Sequence, residues 1–147
     1  MAIISYIDIA KGRGCTLTAE QERKLAEYNT KKEQRTGLRD CAAGSIAPGI
    51  ANAIFWGVIG IANSSAKKDY KEIAEKLESH DEKVKYEITA KRCNTAAKFC
   101  YTIAAASVGL PIVATVASQT AVAINNHSAH KYIDSIMGNN NGTETEN

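Results

Sequence analysis

A small group of residues near the C-terminal end has the side-chain types of a metal site. His127 and His130 are three residues apart, and Asp134 follows one helical turn later. On a helix these side chains would share a face, and imidazole and carboxylate groups are ligands that zinc accepts. A structural zinc site has four ligands, however, and the sequence indicates no fourth. We therefore expect no metal and no cofactor, and interpret both histidines as surface residues.

The cysteines do not form a recognisable redox or metal-binding pattern. Cys15, Cys41, Cys93 and Cys100 match neither paired CxxC motifs nor the framework of a small secreted protein. Cys93 and Cys100 would share a helix face about 10 Å apart, too far for a direct bridge. Cys41 and Cys93 each follow charged residues at the mouth of an uncharged run, where reversible acylation can occur. Because no serine, cysteine or histidine has the local context of a nucleophile, we predict that the chain is not an enzyme.

The distribution of charge divides the chain into five regions. The net charge of +2 is too small to argue for a nucleic-acid partner. Two long runs carry no charge at all, and the segments around them carry every Lys, Arg, Asp and Glu. We divide the chain into a charged N-terminal helical region (1–40), a first apolar span (41–63), a charged helical loop (64–98), a second apolar span (99–125) and a polar tail (126–147).

The two uncharged runs have the length of membrane-spanning helices. A bilayer span needs about 20 mostly apolar residues, and the runs contain 23 and 27. A core helix of a soluble bundle would carry a polar stripe, and neither run has one. Pro48 and Pro111, the chain's two prolines, each lie inside a run. A mid-helix proline costs about 3 kcal/mol in water, whereas membrane helices tolerate it. We therefore predict two transmembrane helices, kinked at these prolines.

Small residues recur along both runs at helical spacing. In lipid, helices associate by close backbone approach along faces of Gly, Ala and Ser. Asn52 and Gln119 are the amide side chains well inside the runs, and each needs a polar partner in hydrocarbon. We expect both to face a helix–helix contact or a polar cavity. The predicted packing residues are Ser45, Gly49, Ala53 and Gly57 in the first run, and Ala105, Gly109, Ala117 and Ala121 in the second.

The charged regions are also predicted to be mainly helical. The β-branched and aromatic residues 3–9 indicate a strand or a segment lying on a membrane surface. A capping-box pattern at Thr18–Gln21 predicts the start of the charged N-terminal helix. Residues 64–98 predict one charged amphipathic helix, whose narrow apolar stripe we expect to pair with Leu25 and Tyr28 of the N-terminal helix.

These observations predict an all-α fold in which two Ala/Gly-rich transmembrane helices are joined by a charged amphipathic helix. The expected function is that of a small multi-pass membrane protein of effector or phage type. It would self-associate through its small-residue faces and permeabilise or scaffold a membrane. Its partners would be the bilayer, further copies of itself or another membrane protein. The alternative is a soluble or virion-packaged structural protein whose apolar hairpin is buried in an oligomer.

The positions of Lys and Arg bear on the orientation of the chain in the membrane. Two spans place both termini on one side, and the counts of Lys and Arg on the two sides are equal. Basic residues are dense where the charged loop meets the two spans, and this favours a cytoplasmic loop. These residues are Lys67, Lys68, Lys91, Arg92 and Lys98.

Overall fold

The predicted all-α fold is confirmed. A computed structural model describes the backbone of residues 4–142 and the side chains of residues 4–138, and this part of the chain contains helices and no strand. Within these residues the chain divides into a terminal unit (residues 4–41 with residues 114–142) and a hairpin unit (Ala42–Val113). The helices are α1 (Tyr6–Gly12), α2 (Ala19–Gly44), α3 (Ile46–Lys76) and α4 (His80–Gly142).

The expected strand at residues 3–9 is wrong, because α1 begins at Tyr6; residue 3 lies outside the described residues, and the alternative of a segment lying on a membrane surface stays a prediction. Ser5 caps this helix: its Oγ accepts a hydrogen bond from the Asp8 backbone N–H at 3.1 Å. The Asp8 carboxylate in turn accepts from the Ser5 N–H at 3.3 Å, which completes a capping box. Hydrogen bonds from the Ser5 hydroxyl and backbone lower the pKa of Asp8. Capping and burial thus outweigh the strand preference of the isoleucines.

The terminal unit is built around Tyr6, which is almost completely buried. Its backbone N–H donates to Asn29 Oδ1 at 2.9 Å, and its hydroxyl donates to the side-chain oxygen of Asn126. Burial raises the pKa of Tyr6. Asn125, also buried, donates to the Tyr28 carbonyl at 3.0 Å. α1, α2 and the last part of α4 therefore share one core, whose other buried members are Ala10, Cys15, Leu25, Ala129, Ile133 and Ile136.

The hairpin unit consists of α3, a short turn and the first part of α4. The predicted single helix over residues 64–98 is wrong, because this segment contains the turn. Leu77 leaves helical geometry with φ −86° and ψ 135°, and α4 begins at His80. Ser79 and Glu82 have the spacing of a capping box, which favours a new helix start at this point.

The two prolines occupy different positions in their helices. Pro48 lies in the first turn of α3, and helix assignment is interrupted at Ser45, whose backbone remains in the helical region at φ −81° and ψ −10°. A proline ring clashes with the carbonyl four residues earlier, here that of Gly44, the last residue of α2. Pro111 lies inside α4, which continues through it as helix. Kinks at Pro48 and Pro111 remain predictions.

Candidate functional site: the α3–α4 hairpin

In the hairpin unit, α3 and α4 pack antiparallel through one narrow stripe on each helix. The buried and half-buried residues along the stripes alternate in steps of four and three, the spacing of helices that pack side by side. We call the two stripes the seam. It consists of Gly49, Ala53, Trp56, Gly60, Asn63, Lys67, Tyr70 and Ala74 on α3, and of Tyr86, Ala90, Cys93, Ala97, Cys100, Ala104, Ser107 and Pro111 on α4.

Two glycines set how closely the helices approach. At Gly49, a Cβ atom would overlap the carbonyl oxygen of Ser107 and lie 3.2 Å from its carbon. At Gly60, a Cβ would lie 2.7 Å from Cε1 of Tyr101. The first obstacle is backbone and the second is a side chain that can rotate. At Gly49 the two backbones therefore leave no room for a side chain.

Pro111 explains why the Ser107 carbonyl is available to Gly49. In a regular helix this carbonyl would accept a hydrogen bond from the N–H four residues later, but proline has no N–H. The open side of Gly49 faces the carbonyl oxygen, an arrangement that suits a weak Cα–H···O contact between helices. The Ser107 hydroxyl accepts from Asn52 Nδ2 at 2.7 Å and donates to the Ile103 carbonyl at 2.8 Å. The proline, the glycine and the asparagine thus converge on Ser107.

Polar contacts continue along the seam towards the turn. Ser64 Oγ and the Tyr101 hydroxyl are 3.2 Å apart, and Lys67 Nζ donates to Asn94 Oδ1 at 3.0 Å. Hydroxyl groups that have no partner across the seam can bond within their own helix, as Thr102 does by donating to the Lys98 carbonyl at 3.0 Å. Among the described residues, no buried side-chain nitrogen or oxygen lacks a hydrogen-bond partner.

The apolar stripe of the charged loop finds its partner within the hairpin. We call the charged parts of the hairpin, residues 67–76 of α3 and 80–98 of α4, its two arms. The rings of Tyr70 and Tyr86 are 6.1 Å apart across the two arms. The expected pairing of this stripe with Leu25 and Tyr28 is wrong. Leu25 is buried in the core of the terminal unit, where the Tyr28 ring lies 6.3 Å from that of Tyr132.

Most of the large apolar side chains in the uncharged parts of the hairpin point outwards. Two helical stretches of the described chain, Ala19–Lys76 and His80–Gly138, each contain an 18-residue window apolar enough to cross a membrane by length and composition. A core helix of a soluble protein passes the same test but is mostly buried, whereas 6% of each window is buried here. The outward side chains, 45–69% exposed, are Ile50, Ile54, Phe55, Val58 and Ile61 on α3, and Phe99, Leu110, Ile112 and Val113 on α4.

The uncharged parts of the two helices lie side by side. Residues 46–66 of α3 and 99–113 of α4 carry no charge, and the contacts Gly49–Ser107 and Ser64–Tyr101 join them near both ends. At 1.5 Å per residue, residues 46–66 extend about 31 Å. This length matches the roughly 30 Å of the hydrocarbon layer of a bilayer.

The structure brings only some of the predicted packing residues into the seam. Gly49 and Ala53 lie in it, and Asn52 bonds across it. Gly57 is half-buried, and a Cβ there would meet open space. The Ala121 carbonyl accepts from Arg35 at 2.7 Å in the terminal unit. The predicted residues that are exposed are Ser45, Ala105, Gly109, Ala117 and Gln119.

Sequence reasoning missed Gly60 and Ser107. Both belong to the seam, and the signal that identifies Gly60 is its spacing of four and seven residues from Trp56 and Ala53. A ridge at every fourth residue drifts around a helix of 3.6 residues per turn, whereas alternating steps of four and three stay on one face. Small residues at alternating spacings of four and three, the heptad spacing, therefore indicate the seam better than small residues at every fourth position.

Two members of the group first considered for metal binding, His130 and Asp134, are engaged in structural contacts. The His130 ring packs edge-on against Tyr6 at 6.0 Å, and Asp134 forms an ion pair with Arg13 at 3.0 Å. Within the residues that the structure describes, no three His, Cys, Asp or Glu side chains are arranged to hold a metal ion. No protein-family model, curated protein or solved structure matches this chain.

Proposed function

We propose that this chain is a two-span integral membrane protein that self-associates and permeabilises or scaffolds the membrane. The observation that carries the proposal is the inverted arrangement of the hairpin. Small and polar residues such as Gly49, Asn52 and Ser107 lie inside it, and large apolar residues such as Phe55 and Leu110 lie outside.

In water this arrangement would be costly. Burying a large apolar side chain stabilises a protein by about 1.5–3 kcal/mol. Nine such side chains left about half exposed forgo on the order of 10 kcal/mol, which is comparable to the whole stability of a domain. A bilayer removes the cost, since lipid tails solvate these side chains and helices associate through small and polar residues instead. The hairpin therefore fits lipid better than water.

Self-association would use a second face of α4. Ala105 and Gly109 lie outside the seam and are exposed, and a Cβ at Gly109 would meet no other atom within 4 Å. A second copy could approach the backbone closely along this face. Such an assembly would then either open a path through the membrane or hold other proteins in it.

Alkaline carbonate extraction of membranes from expressing cells tests the insertion. We expect the wild-type chain to stay in the membrane pellet. Ile54→Lys with Val58→Lys should release it, because each charge at the centre of a span costs about 3 kcal/mol. The matched control is Ile73→Lys with Val84→Lys, at two exposed positions on the charged arms. This variant should stay in the membrane pellet. A wild-type chain found as an oligomer in the soluble fraction would refute the proposal and favour a soluble structural protein.

Crosslinking in the membrane tests the mode of association. Gly109→Ile places a branched side chain on the proposed face without touching the seam, so insertion should persist and oligomers should be lost. Leu110→Ile, at a side chain 69% exposed, is the control and should crosslink like wild type. Unchanged crosslinking of Gly109→Ile would refute this face. Leakage of a vesicle-trapped dye that falls with the oligomer would support permeabilisation, and its absence would favour scaffolding.

A further inference from the structure

On the two arms of the hairpin, basic residues lie close to the apolar section (the uncharged residues 46–66 and 99–113), and acidic residues lie further from it. Next to that section, residues 67–71 and 91–98 contain six basic residues and one acidic residue, Asp69. Further out, residues 72–90 contain three basic and six acidic residues. The segment near the apolar section is therefore strongly positive and the tip is negative. We call the basic residues Lys67, Lys68, Lys71, Lys91, Arg92 and Lys98 the collar.

The hairpin brings the two halves of the collar to one level. Lys67 of α3 donates to Asn94 of α4, which lies between Arg92 and Lys98 in sequence. Lys71 and Lys91 line one groove between the arms. The members of the collar other than Lys67 are exposed. The collar therefore presents positive charge around both helices where the uncharged section ends.

The collar is continuous with the outward apolar surface. On α4, a shallow and mostly apolar groove is lined by Ile88, Lys91, Arg92, Thr95, Ala96 and Phe99. Phe99 belongs to the outward apolar side chains and is 64% exposed. One surface thus offers cations to a charged head and apolar contact to a hydrocarbon chain.

We propose that the collar binds the headgroups of anionic phospholipids, an inference that rests on the proposed membrane insertion. Lys and Arg form strong, charge-assisted hydrogen bonds to phosphate oxygens, and each basic residue near an anionic surface favours binding by about fivefold. The acidic tip is repelled by the same surface, so the arms stand away from it. Nucleic acid is a poorer occupant, because the tip would repel its phosphates as well.

Trp56, the only tryptophan in the chain, is a built-in probe for this binding. It lies eleven residues before Lys67, about 16 Å along the helix axis, and its side chain is only half-buried in the seam, so one side of the ring is open to lipid. An acyl chain whose headgroup sits at the collar would therefore reach it. The experiment reconstitutes the full chain into phosphatidylcholine vesicles containing either brominated phosphatidylglycerol or brominated phosphatidylcholine, at equal mole fraction. Bromine quenches tryptophan fluorescence on contact, so the ratio of the two quenching strengths measures lipid preference.

We expect phosphatidylglycerol to be preferred by about fivefold for each cation that engages a headgroup, and the preference to fall with added salt. Lys68→Gln with Lys91→Gln and Arg92→Gln should lower this ratio by about fivefold for each removed cation that engages a headgroup. The control Lys76→Gln with Lys83→Gln and Lys85→Gln removes the same charge from the outer part of the arms and should keep the preference.

The possible results separate the two proposals. Equal quenching by both lipids in the wild type would overturn lipid binding by the collar and leave membrane insertion standing. Equal loss of preference in the collar variant and the control would also overturn it, because the effect would then follow net charge alone. No quenching by either lipid would show that Trp56 is not in the bilayer, and would overturn both proposals.

Discussion

Replacing Gly49 with alanine should destabilise the hairpin, although Gly→Ala within a helix usually stabilises it. The usual gain is up to about 1 kcal/mol, because alanine has the higher helix propensity. At Gly49 the added Cβ would overlap the Ser107 carbonyl oxygen, and the helices must separate to admit it. Overpacking of this kind costs about 1–3 kcal/mol.

The same separation weakens a second interaction. Asn52 donates to the Ser107 hydroxyl at 2.7 Å, and an interhelical hydrogen bond in a membrane protein is worth about 0.6 kcal/mol on average. Adding this loss to the overpacking cost and subtracting the propensity gain, we expect Gly49→Ala to lower the free energy of unfolding by about 1–3 kcal/mol.

Gly57→Ala is the matched control, because a Cβ at Gly57 would meet open space on the same helix. We expect it to be neutral or stabilising by up to about 1 kcal/mol. Gly60→Ala should fall between the two, since the obstacle there is the movable ring of Tyr101. The assay is unfolding by sodium dodecyl sulfate in mixed micelles, followed by circular dichroism and Trp56 fluorescence. If Gly49→Ala unfolds at the same detergent fraction as Gly57→Ala, the claim that the backbones at Gly49 and Ser107 are in close contact is wrong.

Three further predictions concern Pro111, the α1 cap and orientation. Pro111→Ala supplies the N–H that the Ser107 carbonyl lacks, so hydrogen exchange in this part of α4 should slow while carbonate resistance is unchanged; faster exchange would contradict this. The stability that Asp8 contributes to α1 is complete above its ordinary pKa and is lost as pH falls through its lowered pKa. Protection of α1 amides should therefore drop in acid for the wild type, and Asp8→Asn should show no such step; equal pH dependence would refute the cap. Asn141 begins an N-x-T triplet, the acceptor for N-glycosylation. If the collar faces the cytosol, translation with microsomes should glycosylate Asn141 in the lumen, and Asn141→Gln should abolish the mass shift; no shift in the wild type would indicate the opposite orientation.

Much of the helical architecture could be predicted from the sequence, because it depends on local composition. Local composition alone predicts helix in the uncharged runs around Trp56 and Gly109. It also predicts helix in the charged segments between these runs. The turn before His80 was missed because its residues continue the charged pattern on both sides, and only the spacing of Ser79 and Glu82 indicates a helix start.

The contacts of the hairpin could not be predicted, because they depend on register between distant segments. Gly57 and Gly60 have the same composition around them, yet only Gly60 lies in the seam. Ser107 carries no signal of its own until Gly49 and Asn52 are placed opposite it. The helix α1 was missed for a related reason, since Tyr6 is stabilised by residues more than twenty positions away.

The depth of Trp56 in a bilayer tests membrane insertion most directly. Trp56 lies at the midpoint of the uncharged residues 46–66, so a spanning hairpin places it near the bilayer centre. Vesicles made with lipids brominated at different positions along the acyl chain measure this depth from the unmodified protein. We predict the strongest quenching by bromine at the deepest position and the weakest by bromine nearest the headgroup. No quenching, or the strongest quenching from the headgroup end, would show that α3 does not cross the membrane.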